Sequence, residues 1–360
     1  DLYSDRGQWV ARGCYNRHSR IRVRLYSWVA EQALDTAFWA SRLKTAIDLR
    51  RQLGYLQPAG VQSNSGARLV FSEADGLSGL LLDRFDEYLV LQVTSLAMAR
   101  RLPELTALVR ELVPYRGLLL KTDRDMSRSE GMTLEDRLVD GVEPDGPVFI
   151  EEHGVRFGVD LSGGQKTGFF LDQRQNRLAA AQYCTGRRVL DLCCYTGGFG
   201  LVAAAVGQAR EVLGIDSSQK AITLARANAQ LNGLARVHFE AADCFERLES
   251  LAAEGERFGA VVLDPPKFAR SRTSVEDALR AYHHLNRLAI SVLEPGGVLI
   301  TCSCSGHVSR EDFAFMLADV AQRTGREIQL LEQRGAAPDH PVAATCMESD
   351  YLKCCICRVV

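Results

Sequence analysis

No apolar run in this 360-residue chain approaches the roughly 20 residues that a bilayer-spanning helix needs. Nor does the N-terminus carry the charged region, apolar stretch and small-residue cleavage site of a secretory leader, so a cytoplasmic protein without a membrane partner is expected. Internal repeats and low-complexity tracts are missing, which sets solenoids and disordered arrays aside. An excess of either charge is missing too, with 43 Lys and Arg against 45 Asp and Glu. At 46% apolar and 24% charged residues, the composition is that of an ordinary globular protein long enough for two or three domains.

Cysteine is plentiful, but a disulfide framework is not indicated. The total of eleven is odd, and Cys193, Cys194, Cys302, Cys304, Cys354, Cys355 and Cys357 lie in apolar strand-type patterns, where a reduced thiol acts as a small hydrophobe. CSC and CCIC bring thiols close together, yet strand alternation points neighbours to opposite faces, so no metal site is expected. The near-neutral total hides an asymmetry. Residues 1–60 carry ten Lys and Arg against five Asp and Glu, a balance of +5, so with a net charge of −2 the other 300 come to −7. A basic lobe on an acidic body suits contact with a polyanion, and Arg20, Arg22 and Arg24 are candidates for it. The same three residues also alternate as the solvated face of a strand would.

The stretch Val189–Gly200, VLDLCCYTGGFG, organises the rest. A short apolar run of strand type stops at Gly197, Gly198 and Gly200, and the helical pattern LVAAAVGQA follows. Strand, glycine turn and helix build a cofactor crevice at the carboxyl edge of a parallel sheet, where a ligand approaches main chain with no side chain in the way. Asp216 ends a second strand, EVLGID, nineteen residues after Gly197, where a carboxylate accepts from both ribose hydroxyls of an adenosine-bearing cofactor. The strand AVVL then runs into Asp264-Pro265-Pro266-Lys267-Phe268. A nicotinamide-dinucleotide enzyme needs no such turn. A protein that presents a planar base to a methyl donor does, because two prolines stiffen the loop that faces the base.

In chain order, GQWVARGCYN and SRIRVRLYS, joined at Asn16-Arg17-His18, predict a β-hairpin. A lone hairpin is unstable in water, so this module is expected either to be cut short at its N-terminus or to pack on its neighbour. Apolar spacing predicts a helix over 35–53 with Asp35 as its cap, and the Gly-, Pro-, Ser- and Asn-rich residues 55–66 read as a linker. Strands with turns at Asp75-Gly76 and Phe85-Asp86-Glu87 follow, then a helix over 97–113, a strand over Gly117–Lys121, a hairpin turning at His153-Gly154 and a helix from near Asp172. From Arg188 onward, five strand–helix units and two consecutive strands predict a parallel sheet finished by an antiparallel hairpin. Right-handed crossovers gather Asp191, Asp216, Asp243, Asp264 and Cys304 on one edge of it.

The strings SEADGLSGLLLDRF, IEEHG, GGQKTGFFLDQR, YTGGF, DPPKF, SCSG and DHPV occur in that order. Over essentially the whole chain this resembles the bacterial 23S ribosomal RNA cytosine-C5 methyltransferases. The resemblance implies an α/β protein in three parts. Residues 1–60 would be a partial PUA-type RNA-binding β module with a linker helix, 67–183 a central α/β domain, and 184–360 a Rossmann-like class I methyltransferase domain. It implies S-adenosyl-L-methionine as cofactor and 23S rRNA as partner; whether the chain forms a homodimer stays open. Tyr195, Thr196, Gly197, Gly198 and Phe199 would pass close to the methionine moiety. Asp191 would take the amino group, Asp216 with Ser217 the ribose, and Asp243 with Cys244 the adenine. Lys166, Thr167, Phe170 and Asp172 would close the pocket.

Carbon 5 of cytosine is a poor nucleophile, and a thiolate that adds to C6 activates it. Cys304 is the expected thiol and Cys302 the fallback. Asp264, stiffened by Pro265 and Pro266, would hold the cytosine N3 or amino edge, while Lys267, Arg270 and Arg272 would hold phosphates. The target base would be flipped out, with Phe268 or Tyr195 stacking on it and His340 lining the site. Two other readings remain open: N-methylation of a purine on the same fold, which needs no thiol, and a non-catalytic RNA-binding protein.

Overall fold

The computed structural model describes residues 1–56, 65–162, 168–269 and 271–360, with the backbone alone at Arg272. The chain forms two compact units that interleave in sequence. One comprises Asp1–Glu151, Val159–Leu171 and Pro338–Ser349; the other comprises Glu152–Gly158, Asp172–Ala337 and Asp350–Val360.

The first unit opens with β1 (Leu2–Tyr3), β2 (Trp9–Tyr15) and β3 (Val23–Ser27) in one antiparallel sheet, so the predicted hairpin gains a third strand. Its turn is longer than three residues, with Asn16 N–H donating to Arg22 O at 2.9 Å. Of the three alternating arginines only Arg24 lies in a strand, and it is not on a solvated face. Its guanidinium is 3.0 Å from Glu130 and the side chain is 9% exposed. Arg20 and Arg22 precede β3 and are exposed.

Helix α1 (Thr36–Gln52) starts where expected, because the Asp35 carboxylate accepts the Phe38 N–H at 2.9 Å. It packs Trp39, Leu43 and Ile47 against the leucines of a five-stranded sheet made of β4 (Gly66–Phe71), β5 (Leu80–Phe85), β6 (Tyr88–Val93), β7 (Gly117–Lys121) and β8 (Arg137–Gly141). Only β6 and β7 are parallel, joined by α2 (Leu96–Arg100) and α3 (Leu102–Leu112). The single helix predicted over 97–113 is broken at Arg101 because Pro103, with no N–H, starts a new first turn. Helix α4 (Arg124–Glu130) and β8 carry too short and too polar a pattern to be read from sequence. The hairpin of β9 (Val148–Glu152) and β10 (Val155–Val159) turns at His153 and Gly154, both at positive φ as a two-residue turn requires.

Beyond Glu152–Gly158, the second unit runs through α5 (Arg174–Ala181), β11 (Arg188–Leu192), α6 (Gly198–Ala205), β12 (Glu211–Asp216), α7 (Gln219–Leu231), β13 (Val237–Ala241), α8 (Cys244–Ala253), β14 (Phe258–Leu263), α9 (Val275–Ser291), β15 (Leu293–Ser303), α10 (Arg310–Thr324), β16 (Ile328–Arg334) and β17 (Lys353–Val359). The sheet order is β13-β12-β11-β14-β15-β17-β16. The first five strands are parallel, and β17 inserts antiparallel between β15 and β16. Strand β14 is buried along its whole length, as a run of apolar residues covered on both faces must be. Strand order reverses between β11 and β14, which opens a crevice beyond their carboxyl ends. Among the described residues no helix is long and apolar enough to cross a membrane.

Candidate active site

After β11 the backbone enters the left-handed region three times in five residues, at Cys193 (φ 57°), Tyr195 (φ 50°) and Gly197 (φ 85°). Residues with a Cβ adopt it at a cost, so the loop must be held from outside. The holding bonds run from Cys194 N–H to Ile215 O at 3.0 Å and from Tyr195 N–H to Asp216 Oδ2 at 2.9 Å. Asp191, next to last in β11, is wholly buried, and its Oδ2 accepts the Gly200 N–H at 2.8 Å. Its Oδ1 has no hydrogen-bond partner among the described residues, and neither has the buried hydroxyl of Thr196. Burial pushes the Asp191 pKa up to about 7, against the pull of the Gly200 N–H, and the charges of Asp264 and Asp216 add to the rise.

The glycines also make room within the protein. A Cβ on Gly197 would stand 2.6 Å from the Phe239 ring, one on Gly198 3.2 Å from Arg177, and one on Gly200 3.0 Å from Val212. The missing side chains make room for protein. Arg177 itself is buried, with Nε and Nη2 at 2.6 and 2.8 Å from the Glu152 carboxylate.

Around the loop, Asp216 is half-buried and also accepts the Ser218 N–H at 2.9 Å; the carboxylate retains acceptor sites, and Ser217 beside it is exposed. Asp243 caps α8, its Oδ1 accepting from Phe245 and Glu246 N–H at 2.9 and 3.1 Å. Cys244 is buried behind it, and its Sγ lies 3.6 Å from that of Cys193. Phe199 is buried in the first turn of α6 and Tyr195 is half-buried.

Across the crevice the DPPKF turn meets the end of β15. The Cys304 side chain is partly exposed, with Sγ 3.9 Å from the Pro265 carbonyl oxygen. Ser305 Oγ accepts the Ala269 N–H at 3.2 Å and lies 3.1 Å from the Tyr282 hydroxyl, which ties the two turns together. Asp264 is half-buried, and its Oδ1 accepts from Gln173 Nε2 at 2.9 Å. Pro266 and Lys267 are exposed. One expectation fails here. Cys302 is not a usable second thiol: it is fully buried, and its hydrogen bond to Cys354 together with burial pushes it well above the ordinary thiol range. Phe268 is half-buried, its ring 4.8 Å from that of Tyr282.

The remaining predicted residues fall in both units or outside the described residues. Lys166, Thr167 and Arg270 lie outside the described residues, and the side chain of Arg272 does too. Asp172 is buried in the second unit, where its Oδ2 accepts the Tyr351 hydroxyl at 2.5 Å. The first unit holds the half-buried Phe170, the exposed Arg20 and Arg22 and the buried His340, whose Nδ1 is 2.9 Å from Asp339. Gln173 and Lys353 were not singled out from sequence. Lys353 did leave a signal, a single cation inside the apolar strand pattern YLKCCIC. Among the described residues no three His, Cys, Asp or Glu side chains converge to hold a metal ion.

Residues 136–351 match the model of an S-adenosylmethionine-dependent methyltransferase family, and residues 1–28 match a PUA-like domain. The chain is 41% identical to ribosomal RNA large subunit methyltransferase I of Aeromonas hydrophila, over 99% of this chain and 89% of that protein. It is 39% identical to the protein of the same name from Photobacterium profundum, over 100% and 89%. Its fold is shared with a SAM-dependent methyltransferase structure from Streptococcus mutans at 21% identity, with a TM-score of 0.85 over 99% of this chain and 90% of that one. A methyltransferase structure holding SAH aligns with a TM-score of 0.86 at the same identity and coverage. A crevice built at the reversal of strand order, walled by acidic strand ends and a proline-stiffened turn, is therefore that of a family member: the chain belongs to the S-adenosylmethionine-dependent methyltransferases, alongside the ribosomal RNA large subunit methyltransferases I.

Proposed function

We propose that this protein transfers a methyl group from S-adenosylmethionine to carbon 5 of a cytosine in 23S ribosomal RNA, with Cys304 as the nucleophile. The observation that carries the reading is the partly exposed thiol of Cys304, 3.9 Å from the Pro265 carbonyl oxygen at the mouth of the crevice.

The cofactor fits the residues present. Asp191 Oδ1 and Thr196 Oγ1 are buried at the glycine turn without partners among the described residues, and unpaired buried acceptors are costly unless a ligand donates to them. An ammonium group answers that need, and Asp216 keeps acceptor sites for a ribose. Bound S-adenosylmethionine supplies an electrophilic methyl group. The protein's part is to hold it, exclude water and activate the acceptor.

An extruded cytosine, its amino edge on Asp264, would bring C6 to the Cys304 sulfur. The thiolate would add to C6, and the electron pair of the C5–C6 double bond would move to C5, which takes the methyl group as its bond to the donor sulfonium breaks and that electron pair stays on the departing thioether. A base then removes the C5 proton, the double bond re-forms and the sulfur–C6 bond breaks. Gln173 donates to Asp264 Oδ1, and a carboxylate accepts several hydrogen bonds, of which the amino group of a cytosine could supply one. Lys267, Arg270, Arg272, Arg20 and Arg22 are assigned to phosphate contacts.

The test is incubation with labelled donor and 23S rRNA lacking the modification, followed by mass mapping. The expected product is 5-methylcytosine at one position, with turnover lost in Cys304→Ala. A methylated exocyclic amine, or full turnover in that variant, refutes the reading.

A further inference from the structure

We propose that Lys353 is a positioning residue for the nucleophile, pinning the turn that carries Cys304 and setting a positive charge beside its thiolate. The inference rests on the assignment of Cys304 above.

In the β15–β17 ladder Lys353 lies opposite Ser303, so its side chain starts one residue from Cys304. The residue is 2% exposed. Its ammonium donates to the carbonyl of Ser305 at 2.7 Å and to that of Tyr351 at 2.9 Å. The first bond holds the residue after the nucleophile. Ser305 is fixed from its other side by Ala269 and Tyr282, so this turn is restrained at both main chain and side chain.

A buried ammonium ordinarily has a carboxylate partner. None lies within ion-pair distance of Lys353 among the described residues. The nearest in sequence, Asp350, is engaged by Arg310 through two bonds of 2.9 and 2.7 Å. Two neutral carbonyls orient the cation without neutralising it. The groups that act on it are Asp350 and Cys304, which favour the charged form, and Arg310 and Lys267, which oppose it. Burial outweighs these and brings the lysine down to about 8, so it stays mostly protonated at neutral pH. The anion this arrangement lacks is the one the reaction requires, a thiolate at position 304.

The readout is alkylation of Cys304 by iodoacetamide as a function of pH, followed by mass spectrometry of its own peptide in the full-length protein. Lys353→Met should raise the midpoint by about one unit, a tenfold slower reaction near neutrality. Lys353→Arg, which keeps charge and donors, should restore most of it. A purely structural lysine would leave the midpoint unmoved. Equal midpoints in the wild type and a folded Lys353→Met or Lys353→Gln variant overturn the proposal. If neither folds, Lys353→Arg decides: a midpoint near that of wild type supports it, and one as far from wild type as that of Cys304 in denatured protein overturns it. Since alkylation needs no turnover, its failure is separable from that of the nucleophile assignment, which falls only if Cys304→Ala still methylates.

Discussion

At the scale of single residues the second unit buries a carboxylate that packing alone does not require, that of Asp191. Its pKa stands well above the ordinary carboxylate value because burial disfavours the anion. The neutral form thus favours the fold, and this contribution is present below the ordinary carboxylate pKa and lost as pH rises through about 7. An ammonium bound at Asp191 reverses the preference, so uptake of S-adenosylmethionine should release a proton. Calorimetry in buffers of different ionisation heat should show that release at about pH 6 and its disappearance at about pH 8.5. Asp191→Asn should bind the donor more weakly with no release at either pH.

At the scale of elements, the loop after β11 depends on one glycine that is both left-handed and crowded. Gly197→Ala meets the Phe239 ring at 2.6 Å and forces a Cβ into φ 85°. Strain and overlap together should cost about 2–3 kcal/mol in denaturant unfolding and lower donor affinity at least tenfold. Much of this edge was legible in the sequence, because strand ends, glycine turns and the double proline are local signals. The left-handed Cys193 and Tyr195 were not, since the loop that carries them is held by bonds from Cys194 and Tyr195 to the neighbouring strand β12. The place of β17 was not legible either. Two consecutive strands announce a hairpin but not that the second inserts beside β15, and so the neighbourhood of Lys353 and Cys304 was hidden.

For the whole molecule, the basic character of the first sixty residues divides on inspection. Arg24 is committed to Glu130, 106 residues away, whose carboxylate is also bound by Ser19 and Asn16. No local pattern reveals a partner so distant. Arg24→Ala strands a buried carboxylate and should destabilise the first unit by about 3 kcal/mol. The double variant Arg20→Ala, Arg22→Ala should leave unfolding within about 0.5 kcal/mol of wild type. It should weaken RNA binding and flatten its salt dependence, as filter binding across a salt series would show.

The insertion of β17 also has a temporal side. Ribosomes make the loop after β11, the proline turn and Cys304 well before Lys353, yet β15 has only one neighbour until Lys353–Val359 arrive to pair with it. A chain halted short of that segment leaves β15 as an open sheet edge, with the N–H and C=O groups on that side available to a strand of another chain.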